Sequence, residues 1–267
     1  MATQSRAMLA SLKVGKNAMK ASKEITGLAS DSRHVARGYL FAALAGTRDD
    51  GAAYVADAVA RGASVVLGRP ELRAQAEALG VRFIAAENPR LALAHEAAAF
   101  YGAQPKTVAA VTGTNGKTSV TVFLRQIWDA LGQPAASLGT IGAITPKGEI
   151  ALKQTTPDPI ELHRLLAEIE GEGVEHLAVE ASSHGLDQHR LDGVDIAAVA
   201  FTNITRDHLD YHPTFEHYLR SKLRLFELAR ELSVVNEDAE HAERFIAVAK
   251  ARGLKLITVK TVVGRAW

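Results

Sequence analysis

Several groups of residues in this 267-residue chain have types and spacings that suit chemistry. The first is TGTNGKT at 112–118, entered from the apolar run Val108–Val111 and followed by a helical pattern from Lys117 to Leu131. Strand, tight loop and helix together aim backbone N–H groups and a helix N-terminus at a phosphate. Gly113 and Gly116 permit close approaches that a Cβ would block. Lys117 supplies a point charge for β and γ phosphates, and the Thr118 hydroxyl is placed for Mg²⁺. The pattern departs from the standard phosphate loop, because Val111 stands where that loop has a glycine six residues before the lysine. The competing reading is a glycine turn with a surface lysine.

The second group is Glu180, which closes the apolar run LAVE and is followed by SSHG. A carboxylate at a strand's carboxyl end, in the same sheet as a phosphate loop, suits a second metal contact. A strand-end acid facing solvent is the alternative. The third is TNITRDHLDYH at 202–212. His208 and His212 are four apart, as are Glu180 and His184, and on helices such pairs could bind zinc. These segments lack a helical pattern and HExxH is absent, so a zinc hydrolase is the lesser reading. The fourth is Lys222 in FEHYLRSKLRLFE, among Tyr218, Leu219, Leu223 and Phe226. Its ordinary reading is a snorkelling surface lysine; pushed into an apolar wall it would have a lowered pKa and a nucleophilic amine. In Thr155-Thr156-Pro157-Asp158, Asp158 suits a helix N-cap with Pro159 at the first position, and the threonines either bond a ligand or end a strand.

Positioning these groups requires a sheet with helices. The chain predicts an N-terminal α/β unit, 1–104, with strands near Ile25–Arg33, Tyr39–Ala45, Ser64–Leu67 and Val81–Ala85 and helices over Ala52–Arg61, Glu71–Leu79 and Leu91–Tyr101. Gly102 to Lys106, with Pro105, reads as a linker. A second unit, 105–267, alternates strands and helices: Val108–Thr112, the helix to Leu131, a hairpin-like region to Lys153, helix Pro159–Glu170, strands His176–Glu180 and Ile196–Asn203, helix Thr214–Glu231, strand Ser233–Val235, helix Glu237–Arg252 and strand Leu254–Val259. That alternation predicts an α/β fold with a mostly parallel sheet, whose ligands lie beyond the strands' carboxyl ends.

Composition narrows the function classes. The chain is 47% apolar and 23% charged, with net charge +1, which gives no electrostatic case for nucleic acid or an acidic membrane. No apolar run reaches the roughly 20 residues of a membrane helix. The absence of cysteine excludes a disulfide framework and thiolate metal sites and suits a reducing cytoplasm. Arg6, Lys13, Lys16, Lys20 and Lys23, with no acid in the first 23 residues, read as a frayed basic N-terminus rather than a transit peptide.

Together, TGTNGKT (112–118), TTPD (155–158), EASSHGLDQHR (180–190) and FTNITRDHLDYHPTFEHYLRSK (201–222) resemble the Mur ligases, the ATP-dependent amide-forming enzymes of peptidoglycan synthesis. The phosphate loop is shared across that family and, loosely, with folylpolyglutamate synthases. The other segments resemble the branch that adds the third peptide residue to UDP-N-acetylmuramoyl-L-alanyl-D-glutamate. DSR (31–33) and GTRDDG (46–51) fit that branch's UDP-holding N-terminal domain. The resemblance runs from about Glu24 to Val259.

The resemblance implies roles. Thr112, Gly113, Thr114, Asn115, Gly116, Lys117 and Thr118 would hold the ATP phosphates. Thr118 and Glu180 would hold one Mg²⁺; Glu180, His208 and Lys222 would hold a second, with Lys222 carbamylated by CO₂. Ser32, Thr47, Arg48, Asp49, Thr155, Thr156, Ser182, Gln188 and Arg190 would contact the UDP-muramoyl dipeptide. Lys117, Glu180, His208 and Lys222 form the implied catalytic set, and the protein is expected as a cytoplasmic monomer without nucleic-acid or membrane partners.

The proteins it resembles are longer, with a third domain that binds the amino acid. By that resemblance the chain stops inside the central domain, and KTVVGRAW (260–267) continues no family pattern. The expectations are an incomplete ATPase sheet with an unpaired edge, marginal stability, and no ligase turnover from the isolated chain. meso-Diaminopimelate is the expected amino acid only because it is the commoner one in that branch. A nucleotide- or UDP-sugar-binding fragment without catalysis stays open, as does a lysine-adding or sibling Mur ligase.

Overall fold

A computed structural model describes residues 25–46, 49–208 and 210–261 of the protein. The basic N-terminal stretch, Thr47, Arg48 and residues 262–267, with the expectations placed on them, lie outside the described residues. Contacts divide the chain into two compact units that meet in sequence at Gly102 and Ala103.

The first unit is a four-stranded parallel sheet in the order β1-β2-β3-β4. Its elements are β1 (Gly27–Ala29), β2 (Tyr39–Ala42), α1 (Val55–Ala60), β3 (Val65–Gly68), α2 (Arg73–Ala78), β4 (Arg82–Ala85) and α3 (Pro89–Tyr101). Helices α1 and α2 are shorter than their apolar spacing predicts, because each opens with a 3-10 turn, Gly51–Tyr54 and Pro70–Leu72. Helix α3 starts two residues earlier than predicted: Asn88 caps it by accepting from the Leu91 N–H at 3.2 Å, and Pro89 follows. It stops at Gly102, whose φ is +70°. Phe41, Val55, Ala58, Val66 and Ala76 form the unit's core.

The second unit comprises β5 (Thr107–Thr112), α4 (Lys117–Ala130), β6 (Ala135–Gly139), β7 (Gly142–Thr145), β8 (Gly148–Ile150), α5 (Pro159–Gly171), β9 (His176–Glu180), α6 (Ser183–Asp187), β10 (Ile196–Phe201), α7 (Phe215–Leu228), β11 (Leu232–Asn236), α8 (Ala242–Ala251) and β12 (Lys255–Val259). The sheet order is β12-β11-β10-β5-β9-β6-β7-β8. From β12 to β6 all neighbours are parallel, and β7 and β8 extend the sheet antiparallel. The region predicted as hairpin-like is thus a parallel strand followed by a hairpin. After β5 the chain builds β6–β9 on one side and then crosses to β10 on the other, so the strand order reverses beside β5, where ligands of open α/β sheets bind.

Side chains alternate between the sheet's two faces. One face carries Val108, Ala110, Leu138, Leu177, Val179, Val199 and Phe201, packed with Leu162, Leu166, Leu219, Phe226 and Phe245 from α5, α7 and α8. Helix α4 lies against β5, β6 and β9. The register places Ser137, Ala178, Ala109 and Ala198 in one row on that opposite face. Helix α7 ends three residues before the predicted Glu231, because Ala229 turns extended with ψ 146°. Helix α8 starts five residues after the predicted Glu237, since the Asn236 side chain accepts from the Asp238 N–H at 3.1 Å and holds a turn there. Val120, Phe123, Ile127 and Leu131 remain exposed along and just beyond α4, as do Ile257 and Val259 on the edge strand β12.

Candidate active site

Strand β5 delivers the loop 113–116 to the carboxyl end of the sheet between β9 and β10. Gly113 has φ +154°, and a Cβ there would collide with the Thr202 hydroxyl. Gly116 has φ +84° and heads α4 without a side-chain cap, which leaves that helix's first N–H groups open to a ligand. The loop is pinned to the segment after β10. Thr114 N donates to Asn203 O at 2.8 Å and Asn115 N to Asn203 Oδ1 at 2.9 Å. The Thr114 hydroxyl accepts from Thr205 N at 2.9 Å and lies 2.9 Å from the Tyr218 hydroxyl. Thr202 Oγ1 donates to Asn115 O at 2.7 Å. Thr112 is buried, its hydroxyl donating to Ala181 O at 3.0 Å.

Two lysines converge on one carbonyl of this loop. Lys117 Nζ donates to Gly113 O at 3.0 Å and Thr114 O at 2.9 Å. Lys222 Nζ donates to the same Gly113 O at 2.7 Å and sits 4.5 Å from the centre of the Tyr218 ring. Lys222 is 1% exposed, so it is no snorkelling surface lysine. Burial pushes its pKa down to about 7, helped by the Lys117 charge and opposed by Asp207. Burial also lowers the Lys117 pKa, against the pull of Glu180 and Asp207. What fixes Lys222 is α7: Thr214 caps it by accepting from His217 N at 3.1 Å, and Arg224 ties it to Leu186 O at 3.1 Å and Asp192 Oδ2 at 2.8 Å.

Glu180 ends β9 with 1% exposure, which removes the solvent-facing alternative. Its carboxylate accepts from Thr140 N at 2.9 Å and Thr140 Oγ1 at 3.2 Å. Thr140 Oγ1 in turn lies 3.1 Å from Thr155 Oγ1. The neighbouring Thr156 is buried: its hydroxyl donates to Glu180 O at 2.8 Å and accepts from Ser182 N at 3.1 Å and Ser182 Oγ at 3.0 Å. Ser182 caps α6, accepting from Gly185 N at 3.1 Å, so SSHG is a short helical turn where the sequence pattern predicts none. Arg190 donates to Thr156 O at 2.7 Å, to Gln188 Oε1 at 2.7 Å and to Gln154 Oε1. Gln188 reaches the Tyr211 hydroxyl at 3.0 Å, which donates to Asp187 at 2.8 Å. Thr155, Thr156, Ser182, Gln188 and Arg190 therefore belong to one network beside Glu180.

His208 has φ +53° and lies half exposed, its Nε2 3.5 Å from Asp207 and its ring 5.0 Å from that of His184. His212 is buried with Nδ1 2.9 Å from His217 Nδ1, and burial lowers its pKa to about 4. Among the described residues no three His, Asp or Glu side chains gather as a metal cage, which leaves the zinc reading without a site. A hard cation of the Mg²⁺ type fits better, since it is held by one or two carboxylates, a hydroxyl and phosphate oxygens. Among the described residues the buried Glu180 carboxylate meets only Thr140 donors in its hydrogen bonds, and Lys117 is near enough to feel its charge.

In the first unit, Ser32 is buried in a 3-10 turn capped by Asp31, and its side chain helps hold the Asp57 pKa below the ordinary carboxylate value. Asp49 is exposed, and its carbonyl accepts from Gly46 N at 2.9 Å. Sequence reasoning missed Thr140, Asp207 and Asn203 as site residues. Thr140 follows a small-residue strand with no motif around it, whereas Asn203 and Asp207 sit inside the segment already singled out at 201–222.

The family described as Mur ligase middle domain matches residues 111–264, and that described as Mur ligase family, catalytic domain matches residues 24–101. The chain is 54% identical over 245 residues to a UDP-N-acetylmuramoyl-L-alanyl-D-glutamate–2,6-diaminopimelate ligase of Bradyrhizobium diazoefficiens, covering 90% of this chain and 49% of that protein. It is 56% identical over 204 residues to the ligase of the same name in Brucella melitensis, covering 76% and 41%. A solved ligase of that name superposes with TM-score 0.76 at 31% identity, over 88% of this chain and 48% of that one. MurF from Acinetobacter baumannii shares the fold at TM-score 0.58 and 20% identity, over 91% and 52%. The chain spans about half the length of the curated relatives it matches.

Proposed function

The chain belongs to the Mur ligase family, and on that premise we propose that it serves the ATP-dependent addition of meso-diaminopimelate to UDP-N-acetylmuramoyl-L-alanyl-D-glutamate. The observation that carries this reading is the convergence at one sheet end of the loop 112–118, the buried Glu180 and the buried Lys222. The names of the relatives supply the substrates.

In this reading the N–H groups of the loop and of the first turn of α4 cradle the ATP phosphates, and Lys117 leaves the Gly113 and Thr114 carbonyls to meet them. Thr118, Glu180, His208 and Lys222 would hold Mg²⁺, which when bound neutralises charge on the phosphates. Lys222 suits carbamylation, because a pKa near 7 leaves much of the amine neutral to attack CO₂, with loss of one proton. The network of Thr155, Thr156, Ser182, Gln188 and Arg190 would orient the dipeptide. Thr156 would act by holding Ser182 and Arg190, because its own hydroxyl is fully engaged. Ser32 and the turn 46–51, with Thr47, Arg48 and Asp49, would serve the uridine nucleotide.

The chemistry is an acyl activation. The D-glutamate side-chain carboxylate attacks the γ-phosphorus, the bond to the ADP oxygen breaks, and an acyl phosphate forms. The amine of diaminopimelate attacks the acyl carbon, inorganic phosphate leaves, and the nitrogen loses a proton as the amide forms. The chain's own contribution is positioning and charge placement.

The test is calorimetric binding of ATP·Mg²⁺ and of the UDP-linked dipeptide, followed by ligation with product mass as readout. Lys117→Ala is expected to weaken nucleotide binding by roughly 10- to 100-fold, the worth of hydrogen bonds to a charged group. Binding of both ligands by a chain that does not turn over is the expected result and supports the reading; tripeptide product with diaminopimelate overturns only the expectation of inactivity, product with lysine alone overturns the choice of amino acid, and a folded chain that binds neither ligand overturns the whole.

A further inference from the structure

We propose that Thr140 is a positioning residue: it fixes both oxygens of the Glu180 carboxylate for a divalent cation and links that carboxylate to Thr155. The proposal rests on reading the loop 112–118 and Glu180 as a metal–nucleotide site. Thr140 is the first residue past β6, one strand over from Glu180. Its backbone N–H donates to Oε1 at 2.9 Å and its hydroxyl to Oε2 at 3.2 Å. Two donors from one residue, one on each oxygen, stop the carboxylate from rotating and leave one lone pair on each oxygen free. The preceding residue is fitted to the same group, since a Cβ on Gly139 would overlap the Glu180 carboxylate.

The direction of the hydrogen-bond chain follows from proton counting. An ionised carboxylate only accepts, and a threonine hydroxyl has one proton. If Thr140 gives its proton to Glu180, then at the 3.1 Å contact Thr155 must donate to Thr140. Thr155 thereby spends its proton inward and presents lone pairs outward, to an N–H or O–H of the bound ligand. The groups holding the cation's carboxylate and the groups facing the ligand are therefore one chain, Thr155 to Thr140 to Glu180. Outer partners that orient a metal-binding carboxylate typically matter 10- to 100-fold in metal affinity.

The experiment uses Mn²⁺ as a paramagnetic probe, titrated by electron paramagnetic resonance into the full chain with a non-hydrolysable ATP analogue. Thr140→Val keeps the N–H bond and the side-chain shape but removes the hydroxyl; Thr140→Ser keeps the hydroxyl. The expected result is roughly 10-fold weaker Mn²⁺ binding for Thr140→Val, recovery in Thr140→Ser, and unchanged metal-free binding of the analogue by both. Circular dichroism and urea melts check that each variant is folded. Equal Mn²⁺ affinity in Thr140→Val and the parent overturns the inference. So does a Thr140→Ser as weak as Thr140→Val, which would assign the effect to the methyl group. A parent chain that takes up the analogue but no Mn²⁺ overturns the metal reading beneath the proposal, and the proposal with it.

Discussion

On one face of the eight-stranded sheet, leucine, valine and phenylalanine from six strands meet α5, α7 and α8, and almost every side chain is buried. On the other face the row Ser137, Ala178, Ala109, Ala198 is small, and α4 lies over its members on β6, β9 and β5 with Val120, Phe123 and Ile127 turned outward. The difference teaches how the sheet divides its work. The first face carries the bulk of the apolar burial. The second lets a helix backbone come close to the strands, so that its first turn opens where Glu180 ends β9. A face built for close approach contributes less stability and more geometry.

The largest expected effect lies on the packed face. Leu166→Ala should cost ~2–5 kcal/mol in urea unfolding, the range for a buried leucine cut to alanine. Phe123→Ser, on the outward side of α4, should change stability by no more than about 0.5 kcal/mol. Equal costs would mean that Phe123 is covered in solution, and the contrast between the faces would fail.

A smaller effect tests the close approach itself. Ala178→Leu puts three more carbons under α4 and should destabilise by ~1–3 kcal/mol, the usual range for overpacking. It should also weaken nucleotide binding, since lifting α4 moves Lys117 away from the loop. Loss of stability without loss of nucleotide affinity would separate the face from the site.

A further, smaller effect than overpacking belongs to the first unit. Glu96 on α3 is buried, its Oε2 has no hydrogen-bond partner among the described residues, and burial raises its pKa to about 6 from 4.5 despite the nearby Arg82 charge. A raised carboxyl pKa means the folded state binds the proton more tightly than the unfolded one. Its stabilising contribution is complete below pH 4.5 and is lost as pH rises through about 6. Glu96→Gln should therefore exceed the parent in stability by about 1 kcal/mol at pH 7.5, allowing for solvent screening. The gain should vanish near the unfolded pKa, as read by urea melts at both pH values. A pH-independent difference would mean the carboxyl is held by a partner after all.

Much of the site was legible because it is local. A loop between strand and helix needs glycines at fixed offsets, and TGTNGKT wrote Gly113 and Gly116 where φ turns positive. Asp158 and Pro159 head α5 as their order implies, with Asp158 accepting from Ile160 N and Glu161 N. Alternation of apolar runs with amphipathic ones was enough for a parallel sheet. The ends of elements were less legible: a 3-10 turn at Gly51–Tyr54, an extended Ala229 and a side-chain bond from Asn236 each moved a boundary, because those depend on one or two local contacts rather than on periodicity.

By itself the sequence determined the α/β architecture, the glycine-bearing loop between β5 and α4 and the family to which the chain belongs, since each is encoded in contiguous segments of periodicity and motif. Only the tertiary structure decided that Lys222, 109 residues from Gly113 in sequence, is buried and shares that glycine's carbonyl with Lys117. It alone brought Thr140 to Glu180, 40 residues distant. Burial and long-range hydrogen bonds arise from which strands become neighbours, and strand order is written in no local stretch of chain.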